Sequence, residues 1–156
     1  MNKFNLTTQV LEPFEQISRL YQQLEKTTDY YGTNQLLHPS EIHTIEEIGR
    51  HPKTSLTNLA TTLGITKGSA TKMVQKLVTK GLVTKEFAPD SENKIQINLT
   101  TLGKTAFTNH QKYLTYLNDQ LSTIYESLSD SELELIIKIG NDTRQLLNKL
   151  IEERTR

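Results

Sequence analysis

Apolar residues recur at three- and four-residue steps through most of this chain, and at alternate positions in one short region only. Val10, Leu11, Phe14, Ile17, Leu20, Tyr21 and Leu24 mark one helical stripe, which predicts a helix from Thr8 to Tyr31. Ile42, Ile45 and Ile48 mark a second helix, Pro39 to Arg50, opened by a proline at its first position and closed by His51-Pro52. Ser55 is suited to cap a short helix, Leu56 to Leu63, which Gly64 stops. Thr66 caps the next, Lys67 to Lys80, which closes at Gly81. Two short helices joined by a tight glycine-containing turn make a helix-turn-helix. The alternating stretches follow, Leu82 to Phe87 and Lys94 to Leu99, separated by the turn-rich APDSEN. A hairpin directly behind a helix-turn-helix makes a winged helix. Thr100 then caps a long helix running to about Leu128, and Ser129-Asp130-Ser131-Glu132 forms a capping box ahead of a terminal helix. The expected fold is mainly α with a small β-hairpin wing: a winged helix-turn-helix at 35–104, flanked by N- and C-terminal dimerisation helices at 1–34 and 105–156.

Charge changes this picture at one place. The chain carries 18 basic and 18 acidic residues, yet His51 to Lys85 holds six lysines and no Asp or Glu. Lys72, Lys76 and Lys80 fall on successive turns of one helix, where like charges at i,i+4 cost roughly 0.2–0.5 kcal/mol per pair. No acid in that segment relieves them. At about 100° per residue, Ala70, Val74, Leu77 and Gly81 gather on a core face, with Met73 and Val78 at its margins. Ser69, Lys72, Gln75, Lys76 and Thr79 project the other way. A face mixing cations with hydroxyls and an amide is suited to phosphates and base edges of double-stranded DNA. Gly68, in the first turn, costs about 1 kcal/mol against alanine and allows a close backbone approach.

With these elements in place, the block SLTNLATTLGITKGSATKMVQKLVTKGLV, followed by a wing ending in LTTLGK at Leu99 to Lys104, resembles the MarR family of winged-helix transcription regulators. The resemblance covers Pro39 to Lys112. It implies a homodimer on a pseudo-palindromic operator, acting as a repressor, with the lysine helix in the major groove. By position it implies DNA contacts at Ser55, Thr66, Lys67, Ser69, Thr71, Lys72, Gln75 and Lys76. At the wing tip Glu92 stands where many relatives carry an arginine, so Asn93 and Lys94 are the substitutes there. A small-molecule effector is a further implied partner, for which Tyr21, Tyr30, Tyr31, Tyr113 and Tyr116 are the candidate lining.

Other chemistry has less behind it. Glu41, His43, Glu47 and His110 are the candidates for a metal, but four convergent ligands are what a good zinc site wants. No cofactor is expected. The chain has no cysteine, no glycine-rich phosphate loop and no HExxH, so an enzyme is not the expectation. It lacks a signal core and any apolar run of about 20 residues, so a cytoplasmic protein away from membranes is expected. Two alternatives stand beside the DNA-binding reading: a winged-helix protein-interaction module, and a metal-sensing regulator.

Overall fold

The computed structural model describes residues 3–88 and 91–155, with side chains described for 9–87 and 95–155. The element order is α1 (Lys3–Leu24), α2 (Pro39–Arg50), α3 (Leu56–Thr62), α4 (Lys67–Thr79), β1 (Val83–Ala88), β2 (Ser91–Leu99), α5 (Thr101–Ser122) and α6 (Asp130–Arg154). The chain divides into two compact units, Met1–Lys112 and Tyr113–Arg156.

The first unit holds the winged helix. Ile42, Ile45 and Ile48 of α2 meet Leu59 of α3, Val74 and Leu77 of α4, Val83 and Ile97 of the hairpin and Ala106 of α5 in one buried cluster. Burying such side chains contributes about 1.5–3 kcal/mol each. The stripe expected on α4 is the one observed: Ala70, Val74 and Leu77 are fully covered, and Met73 and Val78 pack at the edge. β1 and β2 pair antiparallel from Val83↔Leu99 to Phe87↔Ile95, then shift register so that Ala88 faces Ser91. Thr54 adds a single bridge to Ile97, whose N–H donates to the Thr54 carbonyl at 2.9 Å. That bridge ties the segment after α2 to the base of the wing.

Two helices end earlier than their periodicity suggested. α1 stops at Leu24, not Tyr31, because the backbone beyond it has other partners. Thr27 Oγ1 donates to the Leu24 carbonyl at 2.7 Å, and Asp29 and Leu37 exchange hydrogen bonds in an antiparallel bridge. Tyr31 and Gly32 then take positive φ values, 45° and 72°, which no helix continues. α5 stops at Ser122 rather than Leu128. Ser122 and Thr123 hydroxyls donate to the carbonyls of Asp119 and Gln120, and tight i−3 backbone bonds follow at Ile124 and Tyr125. Short hydroxyl side chains compete with the helix ladder in this way.

The junction between wing and α5 explains the LTTLGK stretch. Thr100 Oγ1 donates to the Gly81 carbonyl at 2.7 Å and accepts from the Gly103 N–H at 3.0 Å. The Thr100 N–H donates to the Leu82 carbonyl at 3.1 Å. One threonine thus joins the end of the helix-turn-helix to the start of α5.

In the second unit, α6 begins with the expected capping box: the Ser129 N–H donates to Glu132 Oε2 at 2.8 Å. Hydrogen bonds from the Ser129 hydroxyl and N–H hold the Glu132 carboxyl below its ordinary range. No residue of α6 is buried, although Ile136, Ile137, Leu147, Leu150 and Ile151 recur along it.

Candidate nucleic-acid interface

The site is built from α3, its turn and α4. Ser55 Oγ accepts the Asn58 N–H at 3.2 Å, which starts α3. Gly64, with φ of 64°, reverses the chain, and the Ile65 N–H closes back onto the Ala60 carbonyl at 3.0 Å. Thr66 Oγ1 accepts the Ser69 N–H at 3.1 Å and lies 2.9 Å from Ser69 Oγ. Thr71 Oγ1 donates to the Lys67 carbonyl at 2.8 Å. Four of the sequence-predicted contacts, Ser55, Thr66, Ser69 and Thr71, therefore already serve the local fold with their hydroxyls. Ser55 is half-buried and the other three are exposed, and a hydroxyl keeps a spare lone pair, but their first role is to hold α3 and α4 in shape.

Lys67, Lys72 and Gln75 are different. All three are exposed, and neither lysine has an acid within ion-pair distance among the described residues. Gln75 Oε1 lies 3.4 Å from Lys85 Nζ, at the far limit of a hydrogen bond. Its amide nitrogen has no partner among the described residues. A Cβ at Gly68 would meet only Thr66 Oγ1 at 3.9 Å, so that edge of α4 is low and open. Asn93, Lys94 and Glu92 belong to β2, but their side chains lie outside the described residues, as does the Pro89-Asp90 tip.

The lysine row is not without a counter-ion. Glu41, carried in from α2, is fully buried with Lys80 Nζ at 2.7 Å and Lys76 Nζ at 3.2 Å from its Oε1. The reading that no acid stands by these lysines is corrected by this pair of contacts. Both ammoniums stand within ion-pair distance of Oε1, and both favour the charged carboxylate. Oε2 meanwhile accepts the His38 N–H at 2.9 Å, which caps α2. Burial pushes the Glu41 carboxyl up, but the His38 N–H and the two lysines more than offset it, and its pKa falls below the ordinary 4.5. Its contribution to stability is full above that value and is lost as the pH falls through the depressed one. Sequence reasoning missed this role; the only available signal was an unrelieved i,i+4 lysine pair, which demands an acid from some other element.

The metal candidates do not converge. Glu41 is committed as above, Glu47 faces His51 at 3.5 Å, and the His43 and His110 rings stand 6.2 Å apart. Among the described residues no group of three or more His, Cys, Asp or Glu is arranged to hold a metal. The tyrosines are scattered as well: Tyr31 sets its ring edge-on to His110 at 5.3 Å, Tyr21 and Tyr30 are exposed, and Tyr113 and Tyr116 belong to the second unit. None of them lines the cavity of about 910 Å³ between the end of α2, the base of the wing and the start of α5, where Ile48, Pro52 and Phe107 meet Lys53, Glu86 and Lys104.

His110 is nearly buried, with Nδ1 3.4 Å from Glu46 Oε2, whose carboxylate is already shared with Arg50 and Gln111. Burial lowers its pKa below 6.5, Glu46 acts the other way, and His43 and Arg50 add to the lowering. A histidine kept neutral by the fold must be charged on unfolding, so stability is full above 6.5 and declines as the pH falls below it. Denaturation measured across that window should show a steeper acid slope in the parent protein than in His110→Gln. The difference is bounded by one proton, about 1.4 kcal/mol per pH unit. Equal slopes would show that His110 does not carry the effect.

Residues 37–92 match the family model of the MarR family. The HTH-type transcriptional repressor YetL of Bacillus subtilis (strain 168) is 29% identical over 94 residues, which is 60% of this chain and 54% of that protein. Among solved structures, FabT of Streptococcus pneumoniae in complex with DNA superposes with a TM-score of 0.72 at 20% identity, over 92% of this chain and 99% of that one. ZitR of Lactococcus lactis, a zinc-responsive MarR family member, gives 0.74 at 15% identity, over 91% and 99%. These two likenesses establish the fold. No described helix of this chain is long and apolar enough to cross a membrane.

Proposed function

From a premise that residues 37–92 belong to the MarR family of winged-helix transcription regulators, we propose that the chain is a homodimeric repressor that reads a pseudo-palindromic operator through α4. The observation that carries this reading is the exposed face of α4. Lys67 and Lys72 stand uncompensated beside Gln75 on the second helix of a helix-turn-helix, the position from which such helices enter a major groove. The two lysines supply phosphate contacts, and Gln75 supplies a bidentate amide suited to adenine. Repression follows from occupancy, a bound dimer occluding the promoter it covers.

Dimerisation is supported by the terminal helices. α1 leaves Val10, Leu11, Phe14, Ile17 and Leu20 more than half exposed, and α6 has a similar run with nothing buried. Apolar stripes of that length mark an interface. The 910 Å³ cavity is within the range that small ligands occupy, which supports an effector-responsive regulator.

Selection from a genomic duplex pool at low salt tests the reading. The parent protein should enrich an inverted repeat with half-sites about one helical turn or a multiple apart. Gln75→Ala should relax one symmetric position by about 1–3 kcal/mol while leaving the others intact. A protein that retained no duplex, or that captured a single protein instead, would remove DNA reading from consideration.

A further inference from the structure

α4 and its C-cap residue Lys80 carry four lysines, and their surroundings divide them into two pairs. Lys67 and Lys72 have no acid nearby among the described residues, whereas Lys76 and Lys80 both converge on one oxygen of Glu41. Lys80 is further committed: its Nζ donates to the Leu36 carbonyl at 2.8 Å, and its side chain is only 19% exposed. Lys76 is 52% exposed, so exposure alone would make it a phosphate contact. Geometry argues otherwise. Moving Lys76 Nζ to a phosphate would leave a fully buried carboxylate with a single ammonium, and a buried charge that loses a partner is strongly penalised. Glu41 serves α2 as well, since its second oxygen holds the His38 N–H. One carboxylate therefore fastens the C-terminal half of α4 to the N-terminus of α2.

We propose that Glu41 is a positioning residue for DNA recognition: it fixes α4 against α2 and withholds Lys76 and Lys80 from the phosphate contacts. The inference rests on the DNA-binding reading of α4. Its functional consequence is specificity. A row of four free lysines would raise affinity for every duplex alike, because phosphate contacts carry no sequence information. With both of these ammoniums drawn onto one buried carboxylate, and one of their two charges offset by it, α4 approaches DNA with less indiscriminate charge and in one orientation, and the uncharged Gln75 counts for more.

The test is the salt dependence of binding to the selected operator and to a random duplex, for the parent, Lys76→Gln, Glu41→Gln and the double variant. Each phosphate contact contributes about 0.9 to the slope of log affinity against log salt. Lys76→Gln should leave the slope unchanged, because its charge was already spent on Glu41. Glu41→Gln should steepen the slope by about 0.9 per released lysine and lower the operator-to-random ratio several-fold, and adding Lys76→Gln should reverse the steepening. A buried carboxylate that merely supported the fold would lower the melting temperature without steepening the slope. If Lys76→Gln alone flattens the slope by about 0.9 per protomer, Lys76 is a phosphate contact and the proposal is wrong; this arm decides even if Glu41→Gln fails to fold. If the parent binds no duplex at all, the DNA-binding reading itself fails, a result distinct from a bound parent with a flattened Lys76→Gln slope.

Discussion

Gly103→Ala is expected to destabilise the winged helix by about 2–3 kcal/mol, in spite of the roughly 1 kcal/mol that alanine gains over glycine inside a helix. A Cβ at this position would collide with the Leu82 carbonyl oxygen and lie 3.0 Å from its carbon and 3.3 Å from Leu99 Cβ. The obstacle is backbone, so no side chain can swing aside. That carbonyl also accepts the Thr100 N–H, and Thr100 in turn caps α5 on the Gly103 N–H. Pushing α5 away would loosen both bonds and open the seam beside Leu82 and Ala106, which are fully buried. The melting temperature should fall by roughly 5–10 °C. Gly68→Ala is the matched control, because a Cβ there meets only open space beside Thr66 Oγ1, and its melting temperature should hold or rise. Equal effects at the two positions would remove the steric account of the LTTLGK glycine.

The same seam shows what a sequence can and cannot tell. Periodicity placed the winged helix correctly because the apolar residues of α2 and α4 face one shared core, and a stripe at helical spacing has only one side to bury. Caps were equally legible: Ser55, Thr66 and Ser129 each stand where a helix begins, and each does its capping locally. Gly103 could be seen in the sequence, but its reason could not, since the Leu82 carbonyl reaches it only through the fold. Helix ends were misread where side chains or a bridge took the backbone partners, as at Thr27, Asp29 and Thr123. Those contests are settled by hydrogen bonds worth about 1 kcal/mol each, too small to leave a mark in a hydrophobic pattern.

Charge behaved in a comparable way. The absence of acid between His51 and Lys85 correctly marked a basic segment of the chain. It did not reveal that two of the row's lysines share a counter-ion from outside that window, because Glu41 meets Lys76 and Lys80 only after α2 and α4 pack. Among the described residues the metal candidates do not converge, for a related reason. Glu41 and Glu47 were grouped with His43 by proximity in sequence, whereas the fold gives each acid a cation or a histidine of its own. A surface count of lysines therefore overstates the charge that α4 offers to a polyanion.

Removing the two uncommitted lysines together should have the largest effect on binding. In Lys67→Gln with Lys72→Gln, each protomer of a dimer loses two phosphate contacts, and the salt slope should flatten by about 3.6 for the four, at about 0.9 each. Each contact displaces counter-ions worth about 0.9 in log affinity per decade of salt, so at about 0.1 M salt the loss should be on the order of 10³-fold or more. The loss should be nearly the same for operator and random duplex, because phosphate contacts position the protein without reading sequence. Stability should not change, since both side chains are exposed and neither has an acid within ion-pair distance among the described residues. Lys138→Gln with Lys149→Gln removes the same formal charge from α6, where the lysines pair with Asp142 at 2.9 Å and Glu153 at 3.9 Å. That control should keep the parent's slope. A flattened slope in both variants would mean that net charge alone drives binding, and that the open end of α4 has no special part in it.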